Sequence, residues 1–128
     1  QLAVVVDDGE QGISHVVRGA DLLDSTPRQI FLQQLLGLPK LDYLHLPVSV
    51  KADADKLSKQ TRALPVDASR GTEVVIDVLR YLQQPLPESS LDASLYELWQ
   101  WAIEHWDSTT LPAQHSHATP AAYIAAEQ

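Results

Sequence analysis

The tightest constraint on the fold lies between Ile13 and Leu46, where strand, helix and strand signals follow one another at short spacing. From Ile13 onward four apolar or β-favouring positions are followed by Arg18 and Gly19, where the run should stop, which reads as a parallel strand. Ser25, Thr26 and Pro27 then open a helix: a hydroxyl is available to cap free amides, and Pro sits where it loses no hydrogen bond. Apolar residues at Ile30, Phe31, Leu32, Leu35 and Leu36 predict a helix over residues 27–36 with a wide face packed on a sheet and a stop at Gly37. Residues 43–46 return to strand. Two strands joined through a helix must lie parallel, and the connection is expected to be right-handed.

Open α/β sheets bind ligands beyond the carboxyl ends of their strands. That rule puts Arg18 at a site rather than in a core, although an ion pair with Asp21 or Asp24 is an equally local use for it. No GxGxxG turn opens the unit, so a nicotinamide-binding reading has no support. His45, between Leu44 and Leu46, is read as a hydrogen-bonded strand histidine and left outside the site. Further on, Lys56, Leu57, Ser58, Lys59 and Gln60 place two ammonium groups and a hydroxyl on one short loop, a chemistry suited to polyphosphate. Alone, such a pentapeptide is an ordinary surface turn. The net charge of −8 argues against a surface that grips nucleic acid everywhere. Basic charge nevertheless gathers here, with Lys51, Lys56, Lys59, Arg62 and Arg70 against Asp53, Asp55 and Asp67.

The rest of the chain reads as helical. Thr72 is placed to cap a helix carrying Val74, Val75, Val78, Leu79 and Leu82, stopped by Pro85. A second helix is predicted over residues 92–105, with Leu95, Leu98, Trp99, Ala102, Ile103 and Trp106 on its core stripe and Trp101 off it as the candidate for an exposed contact. From Asp107 onward Ser, Thr, Pro, Ala and Gln dominate, and a flexible tail is expected. His105, His115 and His117 lack convergent partners in the sequence, so no metal is expected in this chain. There is no cysteine to report on redox compartment, and no apolar run of membrane-spanning length. A soluble, cytoplasmic, monomeric protein without a membrane partner is the simplest expectation.

Taken in order, AVVVDD at residues 3–8, GISHVVRGADLL at 12–23, TPRQ at 26–29, YLHLP at 43–47 and then KLSKQ resemble the second half of the catalytic domain of the class I glutamyl-type aminoacyl-tRNA synthetases, with KLSKQ as the KMSKS-like signature. The resemblance is close over residues 1–62 and loose beyond. It implies an α/β fold: the C-terminal half of a Rossmann-like catalytic domain over residues 1–62, a helical module over 63–107 and a tail over 108–128. It also implies a helix at residues 2–6, where β-branched propensity alone calls a strand ended by Asp7, Asp8 and Gly9.

In chemical terms the resemblance implies that Arg18 contacts glutamate, that Lys59 stabilises the α-phosphate of ATP and the departing pyrophosphate, and that Lys56, Leu57, Ser58 and Gln60 order the ATP-binding loop. ATP is the co-substrate, accompanied by Mg2+. The HIGH-like ATP motif, a glutamate-binding tyrosine and the cysteine-rich zinc element of the family have no match here. The chain is therefore expected to be a C-terminal portion that is inactive alone, with any zinc in an upstream segment. Only a small module follows KLSKQ, leaving no room for a large anticodon-binding region. That resembles the short branch of the family, which esterifies glutamate onto queuosine in the anticodon loop of tRNA(Asp). Part of an ordinary glutamyl-tRNA synthetase, or a non-catalytic relic acting as an interaction module, are the alternatives.

Overall fold

In a computed structural model, the structure describes residues 1–50, 65–90, 92–119 and Tyr123. Two compact units emerge, Gln1–Leu46 and Pro47–Gln128. The boundary expected between residues 62 and 63 lies outside the described residues.

The first unit begins with helix α1, Leu2–Glu10. The helix implied by resemblance is thus present where local propensity favoured a strand, and it does not stop at Asp7 and Asp8. It ends in a Schellman turn instead: Gly12 has φ +67°, its N–H donates to the Gly9 carbonyl, and Ile13 N–H donates to the Asp8 carbonyl. Val5 is the buried residue of α1. A Cβ added to Gly9 would lie 2.9 Å from a Leu38 methyl, so the missing side chain is what lets α1 approach the segment before the second strand.

Strand β1, His15–Gly19, pairs in parallel with β2, Asp42–Leu46, in the register His15↔Asp42 through Gly19↔Leu46. Between them run a 3-10 turn, Ala20–Ser25, and helix α2, Thr26–Leu35. The predicted β-α-β unit is therefore present, with Gly37 at φ +65° in a second Schellman turn. What α2 buries differs from expectation. Its buried positions are Thr26, Gln29 and Gln33, while Phe31, Leu35 and Leu36 are exposed. The apolar pattern predicted the helix but not its inward face, because a polar stripe at i, i+3 and i+7 faces polar groups on the strands.

In the second unit, β3, Val48–Val50, pairs in parallel with β4, Ser116–Ala118. The tail expected after residue 107 thus contributes a strand. Composition missed it because its pairing is with residues far away in sequence. Thr119, 8% exposed, locks the ladder: its N–H and hydroxyl each donate 2.9 Å bonds to the Val50 carbonyl, and its hydroxyl lies 2.7 Å from that of Ser49.

Helix α3, Gly71–Tyr81, packs on α4, Leu95–Glu104, around Val75, Ile76, Leu79, Leu98 and Ala102. Thr72 does not cap α3. A preceding 3-10 turn, Ala68–Arg70, is capped by Asp67, and α3 follows from it directly. At its far end α3 closes in a third Schellman turn, here with Gln83 at φ 55°. Ser94 and Glu97 form a capping box at the start of α4. Of the predicted stripe of α4, Leu98 and Ala102 are buried, whereas Trp99 and Trp106 are 50% and 42% exposed. Trp101, expected to be the exposed ring, is half-buried and stacked on His105 at 3.6 Å.

Candidate functional site

The parallel register sets Arg18 opposite His45 and Gly19 opposite Leu46, so Arg18 and His45 leave the sheet together at its carboxyl end. Helix α2 begins at that end because the turn after β1 delivers the chain to Thr26. Its polar stripe supplies the partners. Arg18 Nη1 donates to Gln29 Oε1 at 2.8 Å; Nη2 donates to Thr26 Oγ1 at 2.7 Å and to the Leu22 carbonyl at 3.4 Å. Beneath the guanidinium lies the Tyr43 ring, 5.1 Å from its carbon to the ring centre. All three acceptors are neutral. The partners expected for a purely structural arginine were Asp21 and Asp24, and the charge is oriented here by an amide, a hydroxyl and a carbonyl instead.

A guanidinium has five N–H donors in a fixed fork. Three are taken by the bonds above, and Nε is buried without a partner among the described residues. Among the described residues an N–H on Nη1 is left for an incoming acceptor. Each partner is itself held. Gln29, 5% exposed, donates from Nε2 to Gln1 Oε1 at 2.7 Å, which turns its carbonyl oxygen toward Arg18. Thr26 Oγ1 lies 2.9 Å from His45 Nε2, and His45 stacks on Tyr43 with ring centres 6.2 Å apart. Tyr43 accepts a 2.8 Å bond at its hydroxyl from Gln33 Nε2.

Of the residues named from sequence, Arg18 is thus placed at the carboxyl end of the strands. Lys56, Leu57, Ser58, Lys59 and Gln60 lie outside the described residues. Sequence reasoning passed over Thr26, Gln29, Gln33, Tyr43 and His45 as site residues. The readable signal was the spacing of Thr26, Gln29 and Gln33, which puts three polar side chains on one face of a helix rich in apolar residues. Among the described residues no group of three or more His, Cys, Asp or Glu side chains could hold a metal ion. No described helix is long and apolar enough to cross a membrane.

A family model for tRNA synthetases class I (E and Q), catalytic domain, matches residues 1–80. The chain is 48% identical over 112 residues to a glutamyl-Q tRNA(Asp) synthetase of Pseudomonas syringae, covering 88% of this chain and 38% of that protein. To proteins of the same name from Dechloromonas aromatica and Neisseria meningitidis it is 50% identical over 121 residues, covering 94% of this chain and 40% of each. The chain therefore spans about two fifths of the length of these curated relatives. A crystal structure of glutamate-tRNA synthetase from Elizabethkingia anophelis superposes with a TM-score of 0.66 at 19% identity, over 94% of this chain and 28% of that one, which supports the fold. With the family match running over more than half its length and through the whole parallel β-α-β unit, the chain belongs to the class I tRNA synthetases of the glutamate and glutamine group.

Proposed function

We propose that these residues belong to an enzyme that activates glutamate with ATP and transfers it to queuosine at the wobble position of tRNA(Asp), with this chain supplying part of the catalytic domain. The observation that carries the reading is the Arg18 guanidinium, oriented at the strand ends by neutral partners and so left with its charge available for a carboxylate of glutamate. The names of relatives at 48–50% identity support the choice of RNA.

In the proposed reaction the α-carboxylate oxygen of glutamate attacks the α-phosphorus of ATP. The bond to the bridging oxygen breaks and pyrophosphate leaves. A hydroxyl of the queuosine cyclopentenediol then attacks the acyl carbon, and AMP departs. Neither step needs covalent participation by the protein, so the burden falls on positioning and on charge at the phosphates. Lys59 is proposed to meet the charge developing on the α-phosphate and pyrophosphate, with Lys56, Leu57, Ser58 and Gln60 shaping its loop. Mg2+ would come with ATP, and no residue of this chain is assigned to it.

Because the chain spans about two fifths of its relatives, the 128 residues alone are proposed not to activate glutamate. The test is transfer of radiolabelled glutamate by the full-length protein to tRNA(Asp) with queuosine, tRNA(Asp) lacking it, and tRNA(Glu). Label on the first alone is expected. Robust charging of tRNA(Glu) would overturn the queuosine assignment in favour of an ordinary glutamyl-tRNA synthetase. Absence of glutamate-dependent ATP–pyrophosphate exchange would favour a non-catalytic module.

A further inference from the structure

We infer that Gln29 is a positioning residue, one that presents Arg18 to its ligand as an oriented but uncompensated cation; this rests on the glutamate reading above. The amide is 5% exposed and cannot turn freely, because its NH2 group donates to Gln1 Oε1 at 2.7 Å while its carbonyl oxygen accepts from Arg18 Nη1 at 2.8 Å. A glutamate at position 29 would have nearly the same shape and would accept the same bond. It would also cancel the guanidinium charge from inside the protein, where a close ion pair is strong and poorly screened. Thr26, 8% exposed, treats the other nitrogen in the same way, and the Tyr43 ring beneath contributes a quadrupole but no net charge. Gln29, Thr26 and Tyr43 thus fix the direction of the fork while leaving its charge for a carboxylate from outside.

This separates orientation from charge, and two variants of the full-length protein test the separation. Gln29→Glu keeps the hydrogen bond, since the Gln1 amide can turn to donate, but supplies the wrong charge. Gln29→Met keeps the length and removes the acceptor. In glutamate-dependent ATP–pyrophosphate exchange at pH 7.5, Gln29→Glu is expected to raise the KM for glutamate about 30-fold or more, with the KM for ATP unchanged. Gln29→Met, which loses only orientation, is expected to raise it about 3- to 10-fold. A merely structural role for the amide predicts the reverse order of defects, since Gln29→Glu keeps the hydrogen bond that Gln29→Met removes.

Equal defects for the two variants, or a Gln29→Glu protein within about twofold of wild type, would overturn the inference. If Gln29→Glu does not fold, Gln29→Met still decides it, because an unchanged glutamate KM there refutes a positioning role. Arg18→Ala run alongside keeps the two levels apart. Loss of glutamate affinity in Arg18→Ala with a normal Gln29→Glu protein rejects the role of Gln29 alone, whereas normal affinity in Arg18→Ala rejects the glutamate site itself.

Discussion

Replacing Gln84 by Leu should cost the second unit more than most surface-derived polar changes, because this one amide ties the end of α3 to the segment after α4. Gln84 is 6% exposed. Its Nε2 donates to the Leu82 carbonyl at 3.1 Å and to the Asp107 carbonyl and Thr110 Oγ1 at 3.0 Å each, and its Oε1 accepts from Asp107 N–H at 2.9 Å. Two N–H groups serve three acceptors, so no more than three full bonds are lost, each worth about 1 kcal/mol net. Leu82 is buried, so its carbonyl is left short of water, whereas the Asp107 groups are partly exposed and recover some hydration. The expected loss is about 2 to 4 kcal/mol. For a unit of this size that lowers the thermal midpoint by roughly 10 °C or more.

All three tryptophans, Trp99, Trp101 and Trp106, lie in this unit, so urea unfolding followed by tryptophan fluorescence reads it selectively. A companion variant supplies the sign. Gln84→Glu would point a carboxylate at the Asp107 and Leu82 carbonyl oxygens, raising its folded pKa, so its deficit relative to wild type should widen as pH rises through the ordinary glutamate range near about 4.3. A Gln84→Leu protein within about 0.5 kcal/mol of wild type, or a Gln84→Glu deficit that does not vary with pH, would refute the reasoning.

Four further outcomes are expected. Ser94→Ala should destabilise α4 by about 1 kcal/mol in the same assay. Bonds from the Ser94 hydroxyl and then its backbone N–H hold the Glu97 carboxyl below its usual range, so this stabilisation is complete above that range and fades as pH falls through the lowered value; the gap between wild type and Ser94→Ala should narrow in acid. Gln83→Gly should stabilise the protein by about 0.5 to 1 kcal/mol, since φ 55° strains any residue with a Cβ, and an unchanged urea midpoint would count against it. In the full-length protein, Arg18→Ala should weaken glutamate activation by about 2 to 5 kcal/mol, measured as kcat/KM in pyrophosphate exchange. Lys59→Ala should lower turnover while leaving the KM for glutamate largely unchanged, the pattern of an interaction made mainly in the transition state, and equal effects of both changes on KM would contradict the division of roles.

The parallel unit was legible because each part carried its own signal: β-favouring residues before Gly19, Pro27 at a helix start, Gly37 at its end. The environment of Arg18 was not. Its partners Gln29 and Thr26 belong to a helix whose obvious pattern, Phe31 with Leu35 and Leu36, points outward, so hydrophobicity alone assigns the wrong face to the interior. On α4 the predicted stripe was too wide: Leu98 and Ala102 on it are buried, and the larger Trp99 and Ile103 are not. Size is a poor guide to burial when small side chains let two helices approach. The strand at Ser116–Ala118 had no local signature, since three residues of Ser, His and Ala become a strand only once Val48–Val50 lies beside them.

That last pairing has a consequence for synthesis. Val48 finds its register partner at Ser116, and every residue between them must be made before the first bond of the ladder can form. At about 5 to 20 residues per second, the early strand emerges from the ribosome roughly 3 to 14 seconds before its partner. During that interval its backbone edge is unsatisfied and able to pair with a neighbouring nascent chain. Three residues with a serine in the middle make a short, weakly apolar template, which limits that hazard at the cost of a ladder that closes only after translation has passed Thr119.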